Sequence, residues 1–199
     1  GKSNAIPFRE DGDRVMCPTT KSRWCYAEAK AMDEFLALAY HNQFQVPVVI
    51  CRFFNTVGPR QTGRYGMVIP RLCKQAVSGR PLTVHGDGLQ SRCFCNVKDV
   101  VQAVIALMAE PRAVGEIFNV GSSAEITILD LAKCIIARSG SPSEIKLVPY
   151  AEAYAAGFED MRRRVPDTSK IKSLIGWQPT IPLDQTLDEV IARFREQAG

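Results

Sequence analysis

The sequence predicts an α/β fold, and two neighbouring stretches carry that prediction. Residues 24–43 place apolar side chains at helical spacing, and residues 47–54 form a short apolar run that is typical of a parallel strand buried on both faces. A helix joined to such a strand by a short link is the second half of a βαβ unit, so the chain contributes to a parallel sheet. The side chains predicted to face the core from this helix are Ala29, Met32, Phe35, Leu36 and Ala39.

Helices and short strands alternate along the rest of the chain. Helices are predicted at residues 67–78, 97–110, 127–140, 167–176 and 182–197, and strands at residues 81–85, 94–97, 116–120 and 144–148. Thr127 is a candidate N-cap, and Gly140 follows the end of that helix. The side chains predicted to point inward from residues 97–110 are Val100, Val101, Val104, Ile105 and Met108. Loops are predicted at residues 1–23, 55–66 and 150–165, the last of them a mobile flap.

The amino-acid composition limits the classes of protein to which this chain can belong. The 199 residues are 46% apolar, which is enough for a packed core in one domain or one and a half. No apolar run reaches the roughly 18 residues of a membrane span, and the first residues lack a signal-peptide pattern. Basic residues are scattered apart from a cluster at 162–164, so no nucleic-acid-binding stripe is predicted. The net charge of +4 fits an anionic small ligand or simply a balanced surface.

The cysteines predict a reducing, cytoplasmic setting rather than a disulfide framework. There are seven of them, an odd number, and most lie in apolar stretches where Cys packs as a small hydrophobe. Cys93 and Cys95 form the only close pair in the sequence. Neither a second pair nor a histidine cluster accompanies them, so no metal site is predicted.

A candidate acid–base pair lies at the start of the first helix. Tyr26 and Lys30 are four residues apart, which puts both side chains on one helix face about one turn apart. A phenol ordinarily loses its proton near pH 10, and a nearby ammonium lowers that pKa by favouring the phenolate. Such a pair can take a proton from a sugar hydroxyl or return it. The motif alone is a weak signal, because Tyr-x-x-x-Lys arises by chance in roughly one such chain in four.

Three polar residues elsewhere are candidates for binding an anion. Asn55 follows the apolar strand, where it either donates to a ligand oxygen or stabilises the local turn. Arg92 and Arg164 each carry a guanidinium that can meet phosphate oxygens with two parallel hydrogen bonds. The plain alternative is that both arginines are solvated surface residues. Arg164 is preferred to Arg163 because of its spacing to Asp167.

Several motifs in one register resemble a known family. Besides the pair Tyr26 and Lys30, they are RFFNTVGPR at residues 52–60, PLTVHGDG at 81–88, QSRCF at 90–94 and RVPD at 164–167. Together they resemble the extended short-chain dehydrogenases/reductases, in the branch of nucleotide-sugar epimerases, dehydratases and decarboxylases. The resemblance runs from residue 1 to about residue 194.

The resemblance implies roles for the residues near the first helix and strand. Tyr26 would be the general acid/base, and Lys30 would lower the pKa of Tyr26 and bind the nicotinamide ribose of NAD. Phe53 and Thr56 fall where family members touch the nicotinamide end, with core packing and loop hydrogen bonding as their plain alternatives. Asn55 would contact the phosphate or the sugar of the substrate.

The resemblance also implies a nucleoside-diphosphate sugar as substrate. Arg92 and Arg164 would clamp the diphosphate, and Asp167 would bind the ribose of the nucleoside. Thr83 and His85 would lie along the base through backbone groups. His85 stands where the family usually has Tyr, so it would stack rather than titrate.

The sequence contains neither G-x-G-x-x-G nor G-x-x-G-x-x-G, the glycine turn that seats the dinucleotide pyrophosphate at a helix N-terminus. By resemblance the chain is therefore the carboxyl-terminal part of a Rossmann-type doubly wound sheet with a smaller mixed α/β lobe. Residues 1–60 would be a remnant of the dinucleotide-binding domain with the catalytic helix. Residues 61–199 would form the nucleotide-sugar-binding lobe, with a strand near 116–120 returning to the main sheet.

Three functional hypotheses remain open at this point. The first is an NAD-dependent nucleotide-sugar epimerase or dehydratase in truncated form, like a UDP-sugar 4-epimerase or a UDP-glucuronate decarboxylase. The second is a nucleotide-sugar-binding module without redox activity. The third is a truncated product without function. The strand at 47–54 would expose an apolar edge, and the helix before it has further apolar positions, so self-association as a homodimer is predicted.

The missing glycine turn predicts weak binding of NAD by the 199-residue chain. Without backbone N–H groups to hold the pyrophosphate, we expect titration calorimetry to give a dissociation constant above about 1 mM. Micromolar binding in the same titration would overturn the prediction.

Overall fold

The computed structural model describes residues 3–63, 67–153 and 161–198. The helices are α1 (Cys25–Phe44), α2 (Val68–Val77), α3 (Val97–Met108), α4 (Ile128–Ser139), α5 (Tyr150–Ala153), α6 (Ser169–Ile175) and α7 (Leu183–Ala198). The strands are β1 (Ile50–Phe54), β2 (Thr56–Val57), β3 (Leu82–His85), β4 (Ser91–Cys93), β5 (Cys95–Asn96), β6 (Ile117–Gly121), β7 (Glu125–Thr127) and β8 (Ile145–Val148). The predicted α/β class is confirmed.

The described strands pair two by two, and three of the four pairs are parallel. β1 lies parallel to β6, with Ile50 opposite Ile117 and Phe54 opposite Gly121. β2 and β5 form a second parallel pair, and β3 and β8 form a third. β4 and β7 are antiparallel. The strand expected near residues 116–120 therefore lies beside the strand that follows the first helix.

Two apolar clusters hold these elements together. In the first, α2, α4 and α7 pack with β3 through fully buried side chains such as Leu72, Leu82, Leu131, Ile135 and Leu187. In the second, α3 and α6 cover β6 through side chains that include Val100, Leu107, Phe118, Ile171 and Trp177.

The ends of α4 are confirmed in detail. The Thr127 hydroxyl accepts a hydrogen bond of 3.0 Å from the backbone N–H of Asp130, which satisfies one of the free donors of the first turn. Gly140 ends the helix with φ of 61°, a left-handed conformation that costs glycine little. Local sequence chemistry alone set both ends of this helix.

The core face predicted for α1 is wrong. Ala29, Met32, Phe35, Leu36 and Ala39 are all exposed. The helix instead turns Ala31 toward the chain, where it is buried, and its Glu34 forms an ion pair of 2.7 Å with Arg52 of β1. The helix therefore meets β1 through small and polar side chains, and its more apolar side faces outward.

The inward face predicted for α3 is rotated from the observed one. Val100, Ala103 and Leu107 are buried, whereas Val101 and Ile105 are exposed and Met108 is 78% exposed. Positions i, i+3 and i+7 make a narrow stripe, and only that stripe reaches the core beneath the helix. In a helix with apolar residues around most of its circumference, as here, periodicity does not tell which stripe is buried.

The strand predictions need three corrections. The strand expected at 94–97 is shorter, β5 at Cys95–Asn96, and an unpredicted strand, β4, precedes the buried Phe94. β2 and β7, of two and three residues, were not predicted, because such lengths carry no periodic signal. β1 is not buried on both faces, since Arg52 is half-buried and Phe53 is exposed. Residues 154–160 of the predicted flap at 150–165 lie outside the described residues, and residues 150–153 form α5.

Asp99 in the first turn of α3 anchors the segment that leads into α7. Its buried carboxylate accepts hydrogen bonds from the Thr180 hydroxyl at 2.9 Å and from the backbone N–H groups of Thr180 and Ile181 at 3.1 and 2.9 Å. Its backbone carbonyl accepts a bond of 3.0 Å from the indole N–H of Trp177. Four bonds to one residue thus join the two cores.

We predict that Asp99→Ala destabilises the chain by about 2–4 kcal/mol, because three donors lose a charged acceptor in a buried place. Denaturant unfolding followed by tryptophan fluorescence at one protein concentration measures the effect. The exposed Asp13→Ala serves as a matched control and should unfold like the parent chain. Equal unfolding midpoints for Asp99→Ala and the parent would contradict the prediction.

Candidate functional site

The carboxyl end of β1 is the centre of the candidate site. Parallel strands end at the same edge of a sheet, and open α/β folds bind ligands beyond that edge. Asn55 follows β1 with φ of 44°, a left-handed conformation that Asn tolerates better than most residues. Its side-chain amide donates to the carbonyl of Cys93 at 2.7 Å, and its own carbonyl accepts from the Cys95 N–H at 3.2 Å. Asn55 thus joins β1 to β4 and β5, and its contact with a ligand remains a prediction.

The two segments that carry the predicted clamp lie side by side. The backbone N–H of Ser91 donates to the carbonyl of Arg162 at 2.8 Å. The guanidinium of Arg92 donates to the carbonyl of Met161 at 2.8 Å and to that of Ser91 at 2.7 Å. Arg92 and the basic run at 162–164 are 70 or so positions apart in sequence, and these backbone bonds bring them together.

The structure distinguishes Arg163 from Arg164. Arg163 forms a two-pronged ion pair with Glu125, with Nη2 at 2.6 Å, and the Ser91 hydroxyl donates to the same carboxylate at 2.7 Å. Hydrogen bonds from Arg163 and Ser91 lower the pKa of Glu125 to about 2, so the pair stays charged. Arg164 instead lies over the ring of Phe54, 5.1 Å from its centre, at the end of β1. Arg164 is therefore the arginine of this run that lies beside Asn55.

Asp167 lies just before the start of α6. Its carboxylate accepts from the Ser169 hydroxyl at 2.5 Å and from the Ser169 N–H at 2.9 Å, and Arg9 approaches it to 4.0 Å. The Ser169 hydrogen bonds are the main reason that the pKa of Asp167 is lowered. The backbone of Asp167 also bonds to Phe8 and to the side chain of Asn119. These bonds hold the residue in place, and its contact with a ribose remains a prediction.

Thr83 and His85 lie on β3, where two side chains of α2 reach them. Arg71 donates to the Thr83 carbonyl at 2.7 Å and also to the Thr83 hydroxyl, and Gln75 exchanges bonds with the Thr83 N–H and hydroxyl. Arg71 Nη1 is 3.3 Å from His85 Nε2. Burial, with the charge of Arg71, lowers the pKa of His85, so its ring is neutral at physiological pH. Sequence reasoning missed Arg71 and Gln75, whose i, i+4 spacing on α2 was the available signal.

Tyr26 and Lys30 are both at the surface. Tyr26 is 68% exposed, and the Lys30 ammonium bonds to the Asp33 carboxylate at 2.7 Å. That hydrogen bond is the main reason that the pKa of Lys30 is raised. A helix that precedes a parallel strand runs opposite to it, so the start of α1 lies toward the carboxyl end of β1. Tyr26 and Lys30 therefore lie toward the carboxyl edge of the sheet, in a solvent-exposed setting.

Two residues expected near a nicotinamide flank Asn55. Phe53 is 47% exposed, so core packing does not account for it. The Thr56 hydroxyl is buried and has no hydrogen-bond partner within the described residues, although the Thr56 carbonyl accepts from Gln61 at 2.9 Å. An unsatisfied buried hydroxyl and an exposed ring fit the reactive end of a dinucleotide, together with Tyr26 and Lys30. No described residue supplies a glycine turn for its pyrophosphate.

Other classes of site find little support in the described part of the chain. No group of three potential metal ligands occurs among residues 3–63, 67–153 and 161–198. In the same residues, no helix has both the length and the apolar character needed to cross a bilayer. None of the seven cysteines, all of which lie in described residues, forms a disulfide. Burial raises the pKa of Cys93 to about 11 and that of Cys95 to about 12.

Comparison with known proteins supplies independent information. The family model for GDP-mannose 4,6 dehydratase matches residues 1–190. UDP-N-acetyl-alpha-D-glucosaminuronate decarboxylase from Bacillus cytotoxicus is 44% identical over 191 residues, which make up 96% of this chain and 59% of that protein. The chain thus spans about three-fifths of the length of this curated relative.

Solved structures share the fold. An epimerase from Methanothermobacter thermautotrophicus superposes with a TM-score of 0.86 at 26% identity, over 97% of this chain and 55% of that one. UDP-glucuronic acid 4-epimerase from Bacillus cereus, solved with UDP-glucuronic acid and NAD, gives a TM-score of 0.77 at 29% identity, over 86% of this chain and 52% of that one. The chain spans about half of each.

Proposed function

Because the chain belongs to the extended short-chain dehydrogenase/reductase family, in its branch of nucleotide-sugar epimerases and dehydratases, we propose that it binds a nucleoside-diphosphate sugar. We further propose that it serves an NAD-dependent epimerase, dehydratase or decarboxylase reaction on that sugar. A UDP-uronate is the favoured substrate, since the relative from Bacillus cytotoxicus is named as a decarboxylase of one and the epimerase from Bacillus cereus was solved with another.

One observation carries the proposal. Arg92 and residues 161–164 are joined by backbone and guanidinium hydrogen bonds, so two arginines from distant parts of the sequence lie at the carboxyl end of β1. Guanidinium groups bind phosphate oxygens through paired, charge-assisted hydrogen bonds. Because Glu125 neutralises Arg163, Arg92 and Arg164 are the two that we assign to the diphosphate.

The proposed chemistry assigns proton transfer to Tyr26. Its phenol oxygen would exchange a proton with a sugar hydroxyl as the carbon that bears it becomes a keto group. A bound NAD⁺ would supply the acceptor for the hydride of that carbon. Lys30 provides the positive charge beside the phenol, and Phe53 and Thr56 would contact the nicotinamide end. Asn55 would orient the sugar or phosphate, Asp167 the ribose, and Thr83 and His85 the base.

A second candidate is a nucleotide-sugar-binding module without redox activity. It is favoured by the open setting of Tyr26 and by the hydrogen bond that directs the Lys30 ammonium to Asp33. The two candidates share the diphosphate clamp and differ only at α1. We also propose a boundary between two lobes near residue 60. A reducing, cytoplasmic setting is proposed as well, and seven cysteines without a disulfide are consistent with it.

The clamp assignment predicts different effects for neighbouring arginines. Arg92→Ala and Arg164→Ala should each weaken the binding of UDP-glucuronic acid by about tenfold or more, because each removes a charged contact to phosphate. Arg163→Ala should have a smaller effect on affinity, since its guanidinium is engaged by Glu125. Calorimetry with UDP-glucuronic acid and with UDP measures all three variants.

Circular dichroism of each variant controls for folding. Unchanged affinity in both Arg92→Ala and Arg164→Ala would refute the clamp, and a larger loss in Arg163→Ala would reverse the choice between the two neighbours. If the clamp holds, Tyr26→Phe separates the two candidate functions, because only an enzyme loses turnover while its substrate affinity is retained.

We propose that the chain pairs with a second copy of itself through α1. The helix exposes a cluster of large apolar side chains, namely Met32, Phe35, Leu36, Tyr40 and Phe44. Several such residues on one helix make a patch larger than monomers commonly leave in water. A two-fold axis that brings two copies of α1 together covers both patches at once.

Light scattering across a concentration series tests this proposal. The parent chain should reach about twice its mass of 22.0 kDa, and Phe35→Glu with Leu36→Glu should remain at the single mass because each buries a charge at the predicted contact. Glu28→Gln on the same helix serves as a control that keeps the apolar patch. A parent chain that stays at the single mass at high concentration would contradict the proposal.

A further inference from the structure

A second cationic site lies away from the arginines assigned above. A pocket of about 830 Å³ opens between α2, α7 and the loop at residues 59–63. Five basic side chains line it: Arg60, Arg71, Lys74, Arg80 and Arg193. They come from four separate parts of the chain. Neither Arg92 nor Arg164 is among the lining residues, so the pocket is distinct from the proposed diphosphate clamp.

Positive charges are grouped at this pocket. Among its described lining residues, five are basic and none is acidic, in a chain that has 25 Lys and Arg and 21 Asp and Glu. The field of grouped like charges around a concavity attracts anions.

Three of the pocket cations differ from other basic side chains in their ion pairing. Within the described residues, Arg60, Lys74 and Arg80 form no ion pair, and Arg193 meets only the exposed Glu196 at 3.2 Å. Other basic side chains are matched by acids, as Arg163 is by Glu125 at 2.6 Å and Arg138 by Asp184 at 3.0 Å. Like charges that converge without counter-charges repel one another, so an anion bound among them relieves a cost of the folded state.

The shape and lining of the pocket indicate what kind of anion it takes. The volume lies within the range of small-molecule sites. Phe194, Pro59 and Pro70 supply apolar surface beside the cations, as a base or sugar ring would require. We propose that this pocket binds a phosphorylated small molecule of the nucleoside di- or triphosphate class, with its phosphates held by Lys74, Arg80 and Arg60. A concavity of this size favours such a ligand over an extended nucleic acid.

Arg71 connects the pocket to β3. It lines the pocket and also donates to the carbonyl of Thr83 at 2.7 Å, one of the two β3 residues that we expect along the substrate base. A phosphate in the pocket competes with Thr83 for this guanidinium. The bound anion thereby acts on the segment that the proposed function assigns to the base, and this consequence rests on that proposed function.

Inorganic pyrophosphate is a suitable probe because it lacks a base that would favour either site. We expect a titration followed by backbone amide NMR shifts to move the signals of residues 74–80 as well as those of residues 91–93. Lys74→Ala combined with Arg80→Ala should weaken the response at residues 74–80 by at least about tenfold and leave that at residues 91–93 unchanged. Lys172→Ala, which removes an exposed cation outside the pocket, should change neither response.

The other possible outcomes each decide against the pocket, against the clamp, or against one of the two assignments alone. Shifts confined to residues 91–93 would show that only the clamp binds pyrophosphate, which overturns the second site and leaves the proposed function intact. Equal shifts at residues 74–80 in the parent and in the double variant would overturn the pocket assignment. Arg92→Ala should weaken the response at residues 91–93 by about tenfold or more and leave that at residues 74–80 unchanged, so failure of the clamp and failure of the pocket are distinguishable. Arg80→Glu repeats the test in a second variant if the double variant does not fold.

Discussion

The parallel pairing of β1 with β6 is the constraint on which the rest of the site depends. The two strands end together at Phe54 and Gly121, where their side-chain positions are so close that a Cβ on Gly121 would stand 2.7 Å from that of Phe54. Only glycine allows this approach. Because the strands end at one edge, the residues that follow them open into the same space, and Arg164 enters that space over the ring of Phe54.

Ion pairing distinguishes the neighbouring arginines at the end of β1. Glu125 binds Arg163 through two hydrogen bonds, and the pKa of Glu125 is lowered to about 2, so the ion pair persists over the physiological pH range. Arg164 lies over the ring of Phe54 instead. In the pocket between α2 and α7, no acidic residue occurs among the described lining residues. The positions of the carboxylates therefore separate the arginines that carry ion pairs from those that we propose as ligand-binding.

The surface of α1 combines the proposed acid–base pair with a large exposed apolar area. Its contact with the rest of the chain uses Ala31 and the Glu34–Arg52 ion pair, a small and polar interface. The large apolar side chains lie on the outside of the same helix that carries Tyr26 and Lys30. A partner that covered them would also restrict the water around Tyr26 and Lys30, so the proposed pairing and the proposed proton transfer would be coupled at this helix.

The sequence alone determined the class of fold, the positions of all the long helices and the family. Helix spacing, the Thr127 cap and the glycine at 140 are local properties, and local chemistry acts without knowledge of the rest of the chain. The motifs around Tyr26, Asn55, Arg92 and Arg164 pointed to the family because each is a short run of consecutive residues.

Only the tertiary structure decided which faces are buried and which polar groups meet. The apolar residues of α1 and α3 have several helical stripes to choose from, and the neighbours that cover one stripe are remote in sequence. For the same reason, the sequence did not reveal that Glu125 neutralises Arg163, that Arg71 reaches Thr83, or that five cations share one pocket. Charge pairing depends on distance in space, and residues far apart along the chain come within that distance only when the strands and helices have packed.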